Sequence, residues 1–107
     1  MLVQNITFFA SQDRMSLLLR KIRSEIAPTL ISKAPEGCNP RLSEVELPDG
    51  GVPDGNPCSV SLQLEFTDRT QLSAWQVSSL YPMMESLHKE MGDEGLVFPS
   101  VLKVLDL

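Results

Sequence analysis

The chain has 107 residues, 42% of them hydrophobic and 21% charged, and carries a net charge of −5 at pH 7. This length makes a single domain, 1–107, large enough to bury about two thirds of its unfolded surface without metals or cross-links. The acidic balance and the scatter of nine Lys and Arg residues speak against a nucleic-acid partner. No apolar run reaches the roughly 20 residues that span a bilayer, so no membrane partner is expected and cytoplasmic residence is the default.

Leu2–Phe9 reads as the first strand, with Leu2, Ile6 and Phe8 on one side and Val3, Asn5, Thr7 and Phe9 on the other. Ser11 or Asp13 can cap the helix that follows. Met15, Leu18, Leu19, Ile22, Ile26 and Leu30 recur at steps of three and four, an apolar stripe along one helix face. Pro28 removes a hydrogen bond from that helix, which predicts a kink near Ile26 and a last turn near Ser32. Arg20, Lys21 and Arg23 fall on its solvated side. A loop, Ala34–Pro40, leads to a short strand, Arg41–Leu47.

Residues 48–57 contain Pro-Asp-Gly twice and read as a hairpin tip with nothing to pack a core. From Cys58 to Thr67 the sequence alternates strictly. Val60, Leu62, Leu64 and Phe66 share a dry face; Ser59, Ser61, Gln63, Glu65 and Thr67 share a polar one. Asp68 and Gln71 form a capping-box-like opening to the second helix. Its buried stripe is Leu72, Leu80, Met83, Met84, Leu87 and Met91, with Pro82 predicting a second kink and Gly92 a stop. Leu96–Leu107 reads as the last strand.

Strand-helix-strand-strand-helix-strand predicts an α+β, ferredoxin-like βαββαβ domain: a four-stranded antiparallel sheet with two helices on one face. Ile6, Phe8, Leu62, Leu64, Phe66, Leu102 and Val104 are expected beneath the helices. The open face would then carry Val3, Asn5, Thr7, Phe9, Ser61, Gln63, Glu65, Val101, Lys103 and Leu105. That mixture is too apolar to stay exposed and too polar for a dry interior. It predicts a homodimer through Val3, Phe9, Val101 and Leu105, enclosing space for a small-molecule ligand near Asn5, Thr7, Gln63, Glu65 and Lys103.

The sequence also resembles a known family. Val3-Gln4-Asn5-Ile6-Thr7, Ile26-Ala27-Pro28-Thr29-Leu30, Val60-Ser61-Leu62-Gln63-Leu64, Tyr81-Pro82-Met83 and Phe98-Pro99-Ser100-Val101-Leu102 are similar to segments of the uncharacterised bacterial family called domain of unknown function 4286. The chain departs from it at Ile26 and Pro99, where the family tends to carry a basic or aromatic residue, and in a longer Pro-Asp-Gly loop. The resemblance implies a ferredoxin-like fold and a dimer, and no activity.

No catalytic set emerges from the residues. Haem-degrading barrels of the monooxygenase type use an Asn on the first strand with a Trp and a His on the second helix, and Asn5, Trp75 and His88 are present here. Trp75 and His88 are thirteen residues apart, which turns them about 140° from each other on a regular helix. They are expected on opposite flanks of the apolar stripe. Glu65 and Lys103 read as an ion pair rather than a base and its partner. Cys38 and Cys58 lack metal-ligand spacing and a companion His, and their places in the hairpin separate them beyond disulfide reach. No metal and no cofactor is expected. The leading expectation is a non-catalytic dimeric barrel module; a barrel enzyme and a protein-interaction or regulatory partner are the alternatives.

Overall fold

The computed structural model describes residues 1–45 and 59–107. The chain runs β1 (Leu2–Ala10), a first long helix, β2 (Arg41–Glu44), β3 (Ser59–Phe66), a second long helix and β4 (Gly95–Lys103). The sheet order is β2-β3-β1-β4, and all three pairings are antiparallel. Both helices cover one face. This is the ferredoxin-like arrangement that the order of elements predicts. The Pro-Asp-Gly segment and Cys58 lie outside the described residues.

Each long helix is built from two α-helical pieces joined by a π-helical turn. The first comprises α1 (Gln12–Lys21), the turn Ile22–Ile26 and α2 (Ala27–Ser32); the second comprises α3 (Arg69–Trp75), the turn Gln76–Leu80 and α4 (Tyr81–Met91). In both, the proline follows the wide turn directly, as Ala27-Pro28 and Tyr81-Pro82. The reason is steric: a proline ring inside an α-helix collides with the carbonyl four residues back and offers that carbonyl no N–H. Widening the turn by one residue takes up the misfit, as Ala27 N–H bonds to Ile22 O and Tyr81 N–H to Gln76 O, each five residues back. The expected kinks are therefore wide turns that keep each helix continuous over the sheet.

The caps follow from local chemistry. Asp68 accepts from the Gln71 backbone N–H at 2.8 Å, while the Gln71 side chain accepts from Thr67 N and Thr67 Oγ1, one residue earlier than a regular capping box. Ser11 occupies the N-cap of α1 but its hydroxyl donates to Asp13 at 2.7 Å instead. That bond holds the Asp13 carboxyl below its usual range. Gly92 closes α4 with φ +56°, a conformation in which a side chain would be strained.

The core lies between the sheet and the helices. Ile6, Phe8, Leu62, Leu64 and Phe66 meet Met15, Leu18, Ile22, Leu30, Leu72 and Leu80, all essentially sealed from solvent. Trp75 packs on Phe66 with ring centroids 5.1 Å apart and donates its indole N–H to Leu30 O at 3.0 Å. That carbonyl sits in the last turn of α2, where helical partners run out. Gln4 is fully buried on the helix side of β1. Its Nε2 donates to Asn5 O and Ser100 O, and its Oε1 accepts from Gln76 Nε2 at 2.7 Å.

The structure corrects the facing of β4. Val101 pairs with Gln4 and Lys103 with Leu2, so both belong to the helix side, and Val101 packs against the core. Leu102, expected on the helix side, pairs with Val3 and lies on the open face. Leu105 follows the end of the strand and is exposed, as is Val104. Leu96-Val97-Phe98 is apolar on both faces, so its period could not choose a side; the register with β1 chooses. Lys103 misled because it stands at the end of an edge strand, where a residue on the helix side still reaches water.

Candidate functional site

The open face of the sheet gathers the most side-chain chemistry. The registers place Arg41, Gln63, Asn5 and Ser100 abreast across all four strands, with Ser43, Ser61, Thr7 and Phe98 in the next row. Asn5 is the hub of this surface. Its Nδ2 donates to Thr7 Oγ1 at 3.0 Å and to Ser100 Oγ at 3.3 Å. Its Oδ1 accepts from Ser61 Oγ and from Gln63 Nε2, the latter at 3.3 Å. Four side chains from three strands thus fix one amide.

Beside this polar cluster lies an apolar patch. Phe9 and Phe98 meet edge to face with centroids 5.3 Å apart. Leu96 pairs with Phe9 on this side, while Leu102 and Val3 pair on the far side of the Asn5–Ser100 row, so apolar side chains flank the polar cluster at both ends. Phe98 is 55% exposed and Leu102 48%, far beyond what a strand interior leaves to water. At the opposite corner Glu65 accepts from Asn39 Nδ2 at 2.9 Å. Asn39 holds φ +46°, which an Asn tolerates better than most residues.

Of the expected ligand-site residues, Asn5, Thr7, Gln63 and Glu65 share this face, and the first three join one hydrogen-bond network. Lys103 does not join them. Of the expected interface residues, Val3 and Phe9 lie here, whereas Val101 faces the helices and Leu105 lies beyond the strand; the β4 residues that share the open face include Leu96, Phe98 and Leu102. Ser100 was missed for the same reason of parity. Trp75 and His88 do not meet: Trp75 is 2% exposed in the core, and His88 is exposed on α4. Asn5 is on the other side of the sheet from Trp75.

Cys38 is buried and unbridged, and burial pushes its thiol above the usual range. Its carbonyl accepts from Glu65 N, which sets it at the end of β3 away from Ser59. Among the described residues no group of three or more His, Cys, Asp or Glu side chains is placed to hold a metal ion, and no helix is long and apolar enough to cross a membrane. A groove of 280 Å³ runs between the two long helices over Ile26, Leu30, Ser79, Met83 and Leu87. Lys21, on its rim, pairs with Glu25 and reaches across to Glu90 of α4.

No family model and no curated protein matches the chain, so the resemblance to domain of unknown function 4286 gains no support from either comparison. Solved structures do match. An ethyl tert-butyl ether d (EthD) family protein from Bacillus halodurans C-125 is similar over 98% of this chain and 100% of its own, with a TM-score of 0.66 at 13% identity. Two dimeric ferredoxin-like proteins from uncultured marine organisms are similar over 99% of this chain. One has a TM-score of 0.61 at 12% identity with 97% of its own length covered, the other 0.64 at 11% with 95%. At such identities the likeness shows the ferredoxin-like fold.

Proposed function

We propose that this chain is a homodimeric binding module, not an enzyme, in which two open sheet faces meet and hold a small molecule between them. One observation carries the reading: a single uncovered face bears both an exposed apolar patch and an amide whose hydrogen bonds are all satisfied by its neighbours. Phe9, Leu96, Phe98 and Leu102 supply apolar area that a lone domain would leave in water. A closed two-fold dimer covers such a face with a second copy of itself. Two of the structural neighbours are dimeric ferredoxin-like proteins, which favours the same assembly here.

The polar hub determines what such an interface contains. Buried polar groups need partners; the Asn5 amide arrives with four, so covering it strands none of its own atoms. The cluster is neutral and holds no nucleophile-base pair, and therefore suits recognition better than chemistry. Size-exclusion chromatography with light scattering tests the assembly. The expected mass is twice 11.9 kDa for the wild type, falling to the single-chain mass in Phe98→Asp, which places a carboxylate in the apolar patch. A wild-type monomer at tens of micromolar would overturn the reading.

A further inference from the structure

The hydrogen-bond polarity of the Asn5 cluster restricts what it can recognise; this step rests on the open face being the ligand site. Both amide hydrogens of Asn5 are engaged, on Thr7 Oγ1 and Ser100 Oγ, and its oxygen accepts twice. Thr7 and Ser100 therefore act as acceptors toward Asn5 and keep their own O–H protons. Neither donates to a protein partner among the described residues. Gln63 uses one N–H on Asn5 and retains the other. Three neutral donor hydrogens thus surround one fixed amide.

Their neighbours define the rest of the site. Phe98 stands directly across from Thr7 and two residues from Ser100, and Phe9 packs on its ring edge to face. A ligand meeting the donors lies against this aromatic pair. Charge lies at one edge of the site or is engaged. Arg41 stands beside Gln63 on the exposed edge strand, two strands and about 10 Å, backbone to backbone, from Asn5, and the Glu65 carboxylate is held by Asn39.

We infer that the open face binds an uncharged, flat, largely apolar molecule through a carbonyl-type oxygen placed at Thr7, Ser100 and Gln63. A carboxylate would find a cation only at Arg41, at the Gln63 end of the site and away from the aromatic pair, and a hydrocarbon would leave the donors unpaired.

Three bicyclic probes of one shape separate these cases: 1-indanone, indane and indane-1-carboxylate. Each is titrated into the full-length, ¹⁵N-labelled chain and followed by amide chemical shifts, with light scattering on the same samples. The ketone is expected to bind at least about tenfold tighter than indane, as one or two hydrogen bonds imply, and to shift Asn5, Thr7, Ser100 and Phe98. Thr7→Val, which keeps shape and loses the donor, should weaken the ketone several-fold and leave indane unchanged, while Thr7→Ser retains ketone binding. Equal affinity for ketone and indane, tighter binding of the carboxylate, shifts confined to the groove between the helices, or no shifts at millimolar ketone would each overturn the inference. A dimer without preference for the ketone defeats the ligand class alone; a monomer that still prefers it defeats the dimer alone.

Discussion

Gln4 offers a sharp test of how the core is held. It is a fully buried amide on the central strand β1, and it joins three elements: β1 through Asn5 O, β4 through Ser100 O and the second long helix through Gln76. Gln4→Ala removes three hydrogen bonds, opens a cavity and strips Gln76 Nε2 and Ser100 O of their partner. A net hydrogen bond contributes about 1 kcal/mol, and a buried group left unsatisfied costs about 1–3 kcal/mol, so the loss should be about 3 kcal/mol. With a urea slope near 1.5 kcal/mol/M for a chain of this size, the midpoint should fall by about 2 M at fixed protein concentration. Gln4→Met keeps the volume but orphans the same groups, and should recover only part of that. A double-mutant cycle with Gln76→Ala should return a coupling of about 1 kcal/mol. A midpoint within 0.3 M (roughly 0.5 kcal/mol at that slope) of wild type for Gln4→Ala, or zero coupling, would refute the bridging role.

Leu64→Ala or Phe66→Ala should each cost about 2–5 kcal/mol in urea unfolding, because both side chains are sealed beneath the helices; Thr7→Ala on the open face should cost far less, and equal shifts would mean the faces are reversed. Trp75→Phe should lose about 1–3 kcal/mol by leaving Leu30 O unpaired in the core, read by the same unfolding midpoints. The Lys21 ammonium is raised above its ordinary value by Glu90 first and Glu25 second. Its stabilisation is complete below about pH 10.5 and is lost as pH rises through the higher folded value. Lys21→Met should remove under about 1 kcal/mol at pH 7, since the partners are half exposed, and flatten the alkaline limb of a stability–pH curve.

Much of the fold is written in periodicity. The strict alternation of Val60 to Phe66 identified β3 and both its faces, and the helix stripes identified what packs on it. Asn5, Thr7 and Gln63 were legible as neighbours because β1 and β3 alternate cleanly and pair antiparallel. β4 was different: its apolar run carries no face information, so only pairing with β1 moved Ser100, Phe98 and Leu102 to the open side and Val101 inward. Gln4 falls between Leu2 and Ile6 on the helix side of β1 without being apolar, and its partner Gln76 sits 72 residues away on a helix. Pro28 and Pro82 announced disturbed helices, but a kink and a wide turn answer the same steric problem, and the sheet beneath favours the continuous solution.

Contacts between protomers test the face-to-face dimer most directly. Mixing ¹³C,¹⁵N-labelled with unlabelled chain and recording isotope-filtered nuclear Overhauser spectra isolates proton pairs that cross the interface. The expected cross-peaks join the rings and methyl groups of Phe9, Leu96, Phe98 and Leu102 of one protomer to the same set in its partner. Cross-peaks confined to Leu17, Val77 and Tyr81, exposed apolar side chains on the helices, or none at concentrations where light scattering reads a dimer, would contradict it.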